Sequence, residues 1–351
     1  MTAGYLTYMA FALVCLLLLT VPFIPAVREW RHPTDLAPLP VSANYTSDID
    51  HFARRLHADV AAKMGEGPST GYGEFELVAV EKDGFVTDWE QFRKRLIVLG
   101  SVHSETPLRA VTPVYVRGSL RAPTGSMFSA LYANGDIRLG AESVVDDWVH
   151  ADGLLVIGDR GIALRRASAG SAILLGRETW FERLQAPALF FGQPDPDPKR
   201  PQDPSAYAEA TASFLELPHA VQQTANLFLV RGNCSLPPGL IFHGSLVVTG
   251  FLVIGEGTTV LGDVKAREGA SIGPNAQVLG AVTCEKRIYV FAGARALGPV
   301  MSETDILIGG GATVGTPDLQ TTVTARNIIA EPGSVVHGSV WAHEIGMVKT
   351  Q

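Results

Sequence analysis

The chain has 351 residues and a net charge of −7; 46% of its residues are hydrophobic, only 18% are charged, and 36 are glycine. Soluble domains carry roughly 25% charged residues, so the chain lacks the low hydrophobicity and high charge of a disordered protein. Three cysteines exclude a disulfide framework, and the acidic balance argues against broad nucleic-acid binding, which needs a basic surface.

The first source of the excess hydrophobicity is the N-terminus. From Met1 to Val27 there is no Asp, Glu, Lys or Arg. A bilayer core of about 30 Å takes about 20 helical residues. Tyr5 to Ile24 supplies them, with Leu6, Phe11, Leu13, Leu16, Leu17, Leu18 and Leu19 as its apolar body. Tyr5 and Tyr8 sit as interfacial aromatics, and Pro22 and Pro25 mark the exit. Residues 1–27 therefore read as a retained transmembrane anchor. The rival, a cleaved signal peptide, needs a basic segment before the apolar run, and none precedes it. Arg28 and Arg31 follow at once, so the positive-inside rule places the body in the cytoplasm.

Residues 28–46, with Pro33, Pro38 and Pro40, read as an extended linker. A small α+β pre-domain is expected over 47–95. Ser47 is its candidate N-cap, and Ile49, Phe52, Ala53, Leu56 and Val60 recur at helical spacing over about 48–64. Arg54, Arg55 and His57 read as a solvated face. The glycine-rich stretch 65–73 lacks the Lys-Ser/Thr context of a phosphate-binding loop. Phe75 to Val80 reads as a strand, and 86–95 is ambiguous.

The C-terminal part repeats every 18 residues. Ile254-Gly255, Ile272-Gly273, Val290-Phe291 and Ile308-Gly309 recur, followed in phase by Gly257-Thr258, Asn275-Ala276, Gly293-Ala294 and Gly311-Ala312. A further phrase reads Gly262-Asp263-Val264-Lys265-Ala266, Gly280-Ala281-Val282-Thr283-Cys284 and Gly298-Pro299-Val300-Met301-Ser302. Within a unit the small aliphatics Ile254, Val260, Ala266 and Ile272 fall six apart, which helical spacing does not produce. Three short strands per unit, turned at small residues, predict a triangular coil. Stacked coils make an all-β parallel β-helix solenoid, in which each coil stabilises its neighbours. Cys284 takes an inward position and reads as a small core residue rather than a nucleophile.

A looser version of the repeat runs earlier. Leu139-Gly140 precedes Ile157-Gly158 by 18 residues, as Val149-His150-Ala151 precedes Ala167-Ser168-Ala169, while the register slips between Leu120 and Leu131. A first stack is therefore expected over 96–175 and a second over 238–351. An insertion over 176–237 separates them, with Pro194-Asp195-Pro196-Asp197-Pro198 and a helical stretch Ala206–Leu217. The stacks are either continuous in space or two separate solenoids.

At the Gly-x-Val-x-Ala phrases the chain resembles the bactofilins, a bacterial polymer-forming cytoskeletal family, well over about 240–345 and more loosely over 96–175. The resemblance implies a right-handed β-helix that assembles end to end without nucleotide, metal or other cofactor. It also implies a location at the bacterial inner membrane and a scaffolding role for envelope or polysaccharide-synthesis proteins. The anchor, the pre-domain and the insertion depart from the family's pattern.

A β-helix leaves raw strand edges at its ends unless they are covered. Only residues 343–351 follow Ala342, so the C-terminal coil is expected to be an uncapped surface for self-association or for a protein partner, formed by Val335, Val340, Trp341 and Ile345. Two other classes remain in play. A hexapeptide-repeat acyltransferase would need a catalytic histidine, but His243 and His337 occupy one repeat position and read as corner residues. A periplasmic polysaccharide-binding or lyase β-helix would need clustered carboxylates on one face, where the coils offer only Asp146-Asp147. Asp195, Asp197 and Asp203 could ligate calcium, but the intervening prolines favour an acidic linker. No Ser-His-Asp or Cys-His set is assignable from spacing, and no catalytic or metal residue is expected.

Overall fold

A computed structural model describes residues 2–31, 49–65, 73–79, 89–192 and 220–350. Ser47, most of the linker, the Pro194–Pro198 run, the aspartates beside it and the Ala206–Leu217 stretch lie outside the described residues. The chain forms two compact units, Met1–Ser47 and Asp48–Gln351.

The first unit is helical. Helix α1 (Thr2–Thr20) passes through a single 3-10 turn, Val21–Phe23, into α2 (Ile24–Arg31). The prolines do not end it. Pro22 falls at the start of the 3-10 turn and Pro25 near the start of α2, first-turn positions whose N–H would have no helical partner anyway. The 21 residues Tyr8–Arg28 have a mean hydropathy of 2.5 and are long and apolar enough to cross a membrane. Phe11, Leu13, Leu16, Leu17, Leu18 and Leu19 are exposed on this unit. The Leu6 side chain lies outside the described residues.

The second unit is the expected parallel β-solenoid, about 13 turns long. Each strand pairs with the strand one repeat later. Leu246, Val264, Val282 and Val300 stack in register on one face, and Leu252, Ala270, Ile288 and Ile306 on another. Phe242, Val260, Val278, Ala296 and Val314 stack on the third. All of these residues are buried, and a single hydrophobic cluster runs through both stacks. Ile254, Val260, Ala266 and Ile272 are each at most 1% exposed, so the six-residue rhythm does mark the core.

The corners explain the small residues. Gly257, Asn275, Gly293 and Gly311 all have φ between 56° and 70°, the left-handed region that most side chains avoid. The buried residue after it often carries a hydroxyl. Thr258 donates to the Pro237 carbonyl of the preceding rung at 2.6 Å, while Ser126, Thr179 and Ser334 each donate to the carbonyl three residues back, at 2.7–2.8 Å. The first stack uses the same corner but fills it with Glu142, Arg160 and Glu178, which hides the motif from a search for glycine.

Coils begin earlier than residue 96. Strand Phe75–Ala79 pairs in parallel with Arg95–Leu99 and adds a rung. A 3-10 turn at Trp89–Gln91 plugs the coil, its Trp89 ring lying edge-on to Phe128 at 6.4 Å. Helix α3 (His51–Gly65) packs flat on the side of the stack, burying Ala53, Leu56 and Val60 against Phe75, Ile97, Tyr115 and Tyr132. The segment expected as a pre-domain is thus part of the solenoid unit. The register slip is one residue long, since Val114 pairs with Leu131 and Leu120 with Ile137.

Truncating a fully buried rung residue should be felt over the whole stack. Ile288→Ala is expected to lower the unfolding free energy of the detergent-solubilised chain by about 2–5 kcal/mol. The exposed Val253→Ala should change it by no more than about 0.5 kcal/mol in the same urea titration.

Candidate functional site

Two features gather side chains in a way that bears on function: the junction of the two stacks, and a polar ladder beneath α3.

At the junction, the last strand of the first stack, Trp180–Phe191, lies antiparallel to the last strand of the second, Val335–Val348. Contact is made on all three faces. Leu184 pairs with Val340 and Gln185 with Ser339, Leu189 pairs with Val336 and Phe190 with Val335, and Phe181 pairs with Gly346 and Trp180 with Met347. Val340 and Val335 are buried, Trp341 is half-buried, and Ile345 is 41% exposed. The expected uncapped surface is therefore already occupied from within the chain. The residues after Ala342 do not supply the cap, which comes from a strand some 150 residues earlier. Side chains complete the seam. The Arg183 guanidinium lies 4.0 Å from the centre of the Trp341 ring, and His337 donates from Nδ1 to the Pro187 carbonyl at 3.0 Å. A Cβ at Gly346 would stand 2.3 Å from the Phe181 ring, so only glycine lets that ring close over the strand. His243, at the equivalent repeat position, is exposed.

The ladder follows from the repeat. Outward positions of one face pair in series as Tyr115, Tyr132, His150 and Ser168. Tyr115 and Tyr132 stack at 4.9 Å and 5°, and Tyr132 and His150 at 5.4 Å. The proton positions can be deduced from Asp152. Its carboxylate only accepts, so His150 carries its proton on Nε2 (3.2 Å) and accepts a hydrogen bond from the Ser168 hydroxyl on Nδ1 (2.7 Å). Tyr132 donates to both Asp152 oxygens at 2.9 Å, and Asn134 donates to one at 3.1 Å. Tyr115 donates to Asn134 at 2.6 Å, leaving its oxygen to accept from Nδ1 of His57 on α3 at 3.2 Å. Burial pulls the His150 pKa down against the opposing pull of Asp152, and burial together with the Asp152 hydrogen bond pushes Tyr132 up.

Ser168, His150 and Asp152 thus form a hydrogen-bonded series that no spacing rule had singled out. The signal was present: His150 and Ser168 are one repeat apart, and Asp152 lies two residues beyond His150 on the same side of the strand. Ser168 is only 5% exposed. Elsewhere, Cys284 is buried and its thiol is pushed up to about 12 by burial, as a core residue's would be. Asp147 lies 3.7 Å from Arg165, and Asp146 is not drawn into a cluster. Among the described residues no group of His, Cys, Asp or Glu is placed to hold a metal ion.

These features define a parallel β-solenoid protein whose two stacks meet tail to tail, with an apolar N-terminal helix. No protein-family model, curated protein or solved structure matches the chain.

Opening the seam should be a local event. Val340→Asp is expected to speed hydrogen–deuterium exchange at 180–191 and 335–348 while strands between 251 and 290 keep their protection; uniform loss of protection would contradict an autonomous second stack. The ladder predicts a pH response. A folded His150 with a lowered pKa binds fewer protons than the unfolded chain, so its contribution is present above about pH 6.5 and is lost as pH falls below it. Melting temperature should therefore drop between pH 7.5 and 5, and His150→Gln should flatten that drop.

Proposed function

We propose that this protein is a membrane-tethered scaffold of the bactofilin type, working through contacts of its solenoid rather than through chemistry of its own. The observation that carries this reading is the tail-to-tail junction, in which two coil ends join by strand pairing on all three faces. Coil ends in this chain are therefore adhesive to one another. About 13 rungs at roughly 4.8 Å make a stiff rod on the order of 60 Å long, a shape suited to spacing partners. With the C-terminal coil occupied, contact with a second copy or with another protein falls to the opposite end of the second stack. There the hairpin Ala220–Thr224 and Leu227–Val230 and the strand Cys234–Leu236 begin the stack, and among the described residues nothing pairs with their outer edge. The apolar helix followed by Arg28 and Arg31 supports a single-pass bacterial inner-membrane protein with a cytoplasmic body, positioned to organise envelope or polysaccharide-synthesis proteins.

Negative-stain electron microscopy of the detergent-solubilised chain tests the assembly. Rods joined into filaments or discrete end-linked pairs are expected, and a uniform population of single rods at micromolar concentration would refute self-assembly. A C-terminal reporter active only outside the cytoplasm would refute the orientation.

A second reading, a serine hydrolase, is favoured by the Ser168, His150 and Asp152 series alone. On the scaffold reading those groups hold α3 against the stack. A fluorophosphonate probe should leave Ser168 unlabelled at neutral pH, and labelling that is lost in His150→Ala would replace the scaffold reading with an enzymatic one.

A further inference from the structure

Seven ion pairs on the solenoid join neighbouring rungs. Basic groups meet acidic groups one repeat away: Arg160 with Glu142, Arg165 with Asp147, Arg267 with Glu285, Lys286 with Glu268, Arg287 with Asp305, Arg326 with Glu344 and Lys349 with Glu331. Adjacent rungs are roughly 4.8 Å apart, so like charges stacked directly repel while opposite charges attract. Where Arg166 stacks on Arg183, each guanidinium lies over an aromatic ring, Phe52 at 4.9 Å and Trp341 at 4.0 Å.

One stacked pair of arginines has no such compensation. His103, Arg121 and Arg138 pair in series on three consecutive rungs, and among the described residues neither arginine has a carboxylate within 4.0 Å or a ring beneath it. The three border a cavity of about 700 Å³, lined also by Ser104, Glu105 and Thr124. Two uncompensated guanidinium forks, facing the same cavity, are suited to a dianion with several oxygens. Glu105 and Thr124 on the same wall offer acceptors to hydroxyl groups.

We propose that this cavity binds a sugar phosphate, with Arg121 and Arg138 holding the phosphoryl oxygens and Glu105 and Thr124 the hydroxyls. The ligand is either a soluble sugar phosphate or the phosphorylated sugar headgroup of a lipid. The site lies within the first stack and does not depend on the scaffold role or on assembly.

Calorimetric titration of the full chain in phosphatidylcholine nanodiscs tests it, with glucose 1-phosphate, inorganic phosphate and glucose as probes. Saturable binding is expected for glucose 1-phosphate, weaker binding for phosphate and none for glucose. Arg121→Ala and Arg138→Ala should each weaken glucose 1-phosphate binding at least about tenfold. Their melting temperatures should stay level or rise, because removing stacked like charges relieves repulsion. Glu105→Gln should weaken glucose 1-phosphate but not phosphate. Adding phosphatidylinositol 4-phosphate, whose polyol headgroup carries a phosphomonoester, to the nanodiscs separates the sources: a weaker apparent affinity for glucose 1-phosphate assigns the lipid headgroup, and an unchanged one assigns the soluble ligand. Absence of saturable binding to glucose 1-phosphate, or binding indifferent to both arginine substitutions together, would overturn the site. Equal affinity for phosphate would overturn the sugar half of the proposal.

Discussion

The solenoid depends on the parallel pairing of a residue with the one a repeat later, 18 positions on along most of the second stack and 17 at the slip in the first. That pairing satisfies the backbone of every rung with its neighbour and stacks like on like. A buried valine sits over a buried valine, a left-handed corner over a left-handed corner. No rung has a core of its own to fold around, so stability belongs to the stack. The low charge and abundant glycine follow, because an aliphatic triangular interior needs few charges and its tight corners need residues that tolerate positive φ.

The junction changes what kind of object the stack is. Apart from the hairpin Ala220–Val230, strands are parallel within each stack and antiparallel between them, so the chain advances toward the seam twice, once from each side. Gly192 and Ala220 therefore lie at opposite ends of the second stack, roughly 30 Å apart for about seven rungs. Residues 193–219 can span that distance several times over at roughly 3.3 Å per extended residue. The insertion that interrupts the repeat is thus the connection that the reversed geometry requires. A simple continuation of the rod would have needed no such return.

Outward positions obey the same register. Because neighbours on the surface are 18 apart, a polar residue meets a partner that local sequence windows never place beside it. His150 and Ser168 were both visible as members of repeated phrases, yet their contact became legible only when the phrases were read as rungs. The Arg121 and Arg138 pair was harder to see, because the intervening rung is one residue short and a strict 18-residue comb misses it. His57 comes from a helix outside the repeat, and nothing in its spacing points to Tyr115.

The sequence alone determined the apolar span, the coil as the repeating unit, the inward positions and the corners of the second stack. These are local or strictly periodic properties, set by side-chain size and by which residues accept a left-handed backbone. The first stack was only half visible, since charged residues fill its corners. What the tertiary structure alone decided was the fate of the coil ends. Whether an edge is open or paired depends on contacts between segments some 150 residues apart, with no repeat linking them. Val340 and Trp341 could be recognised as part of a terminal rung, but only the folded chain shows that Leu184 and Arg183 already lie against them.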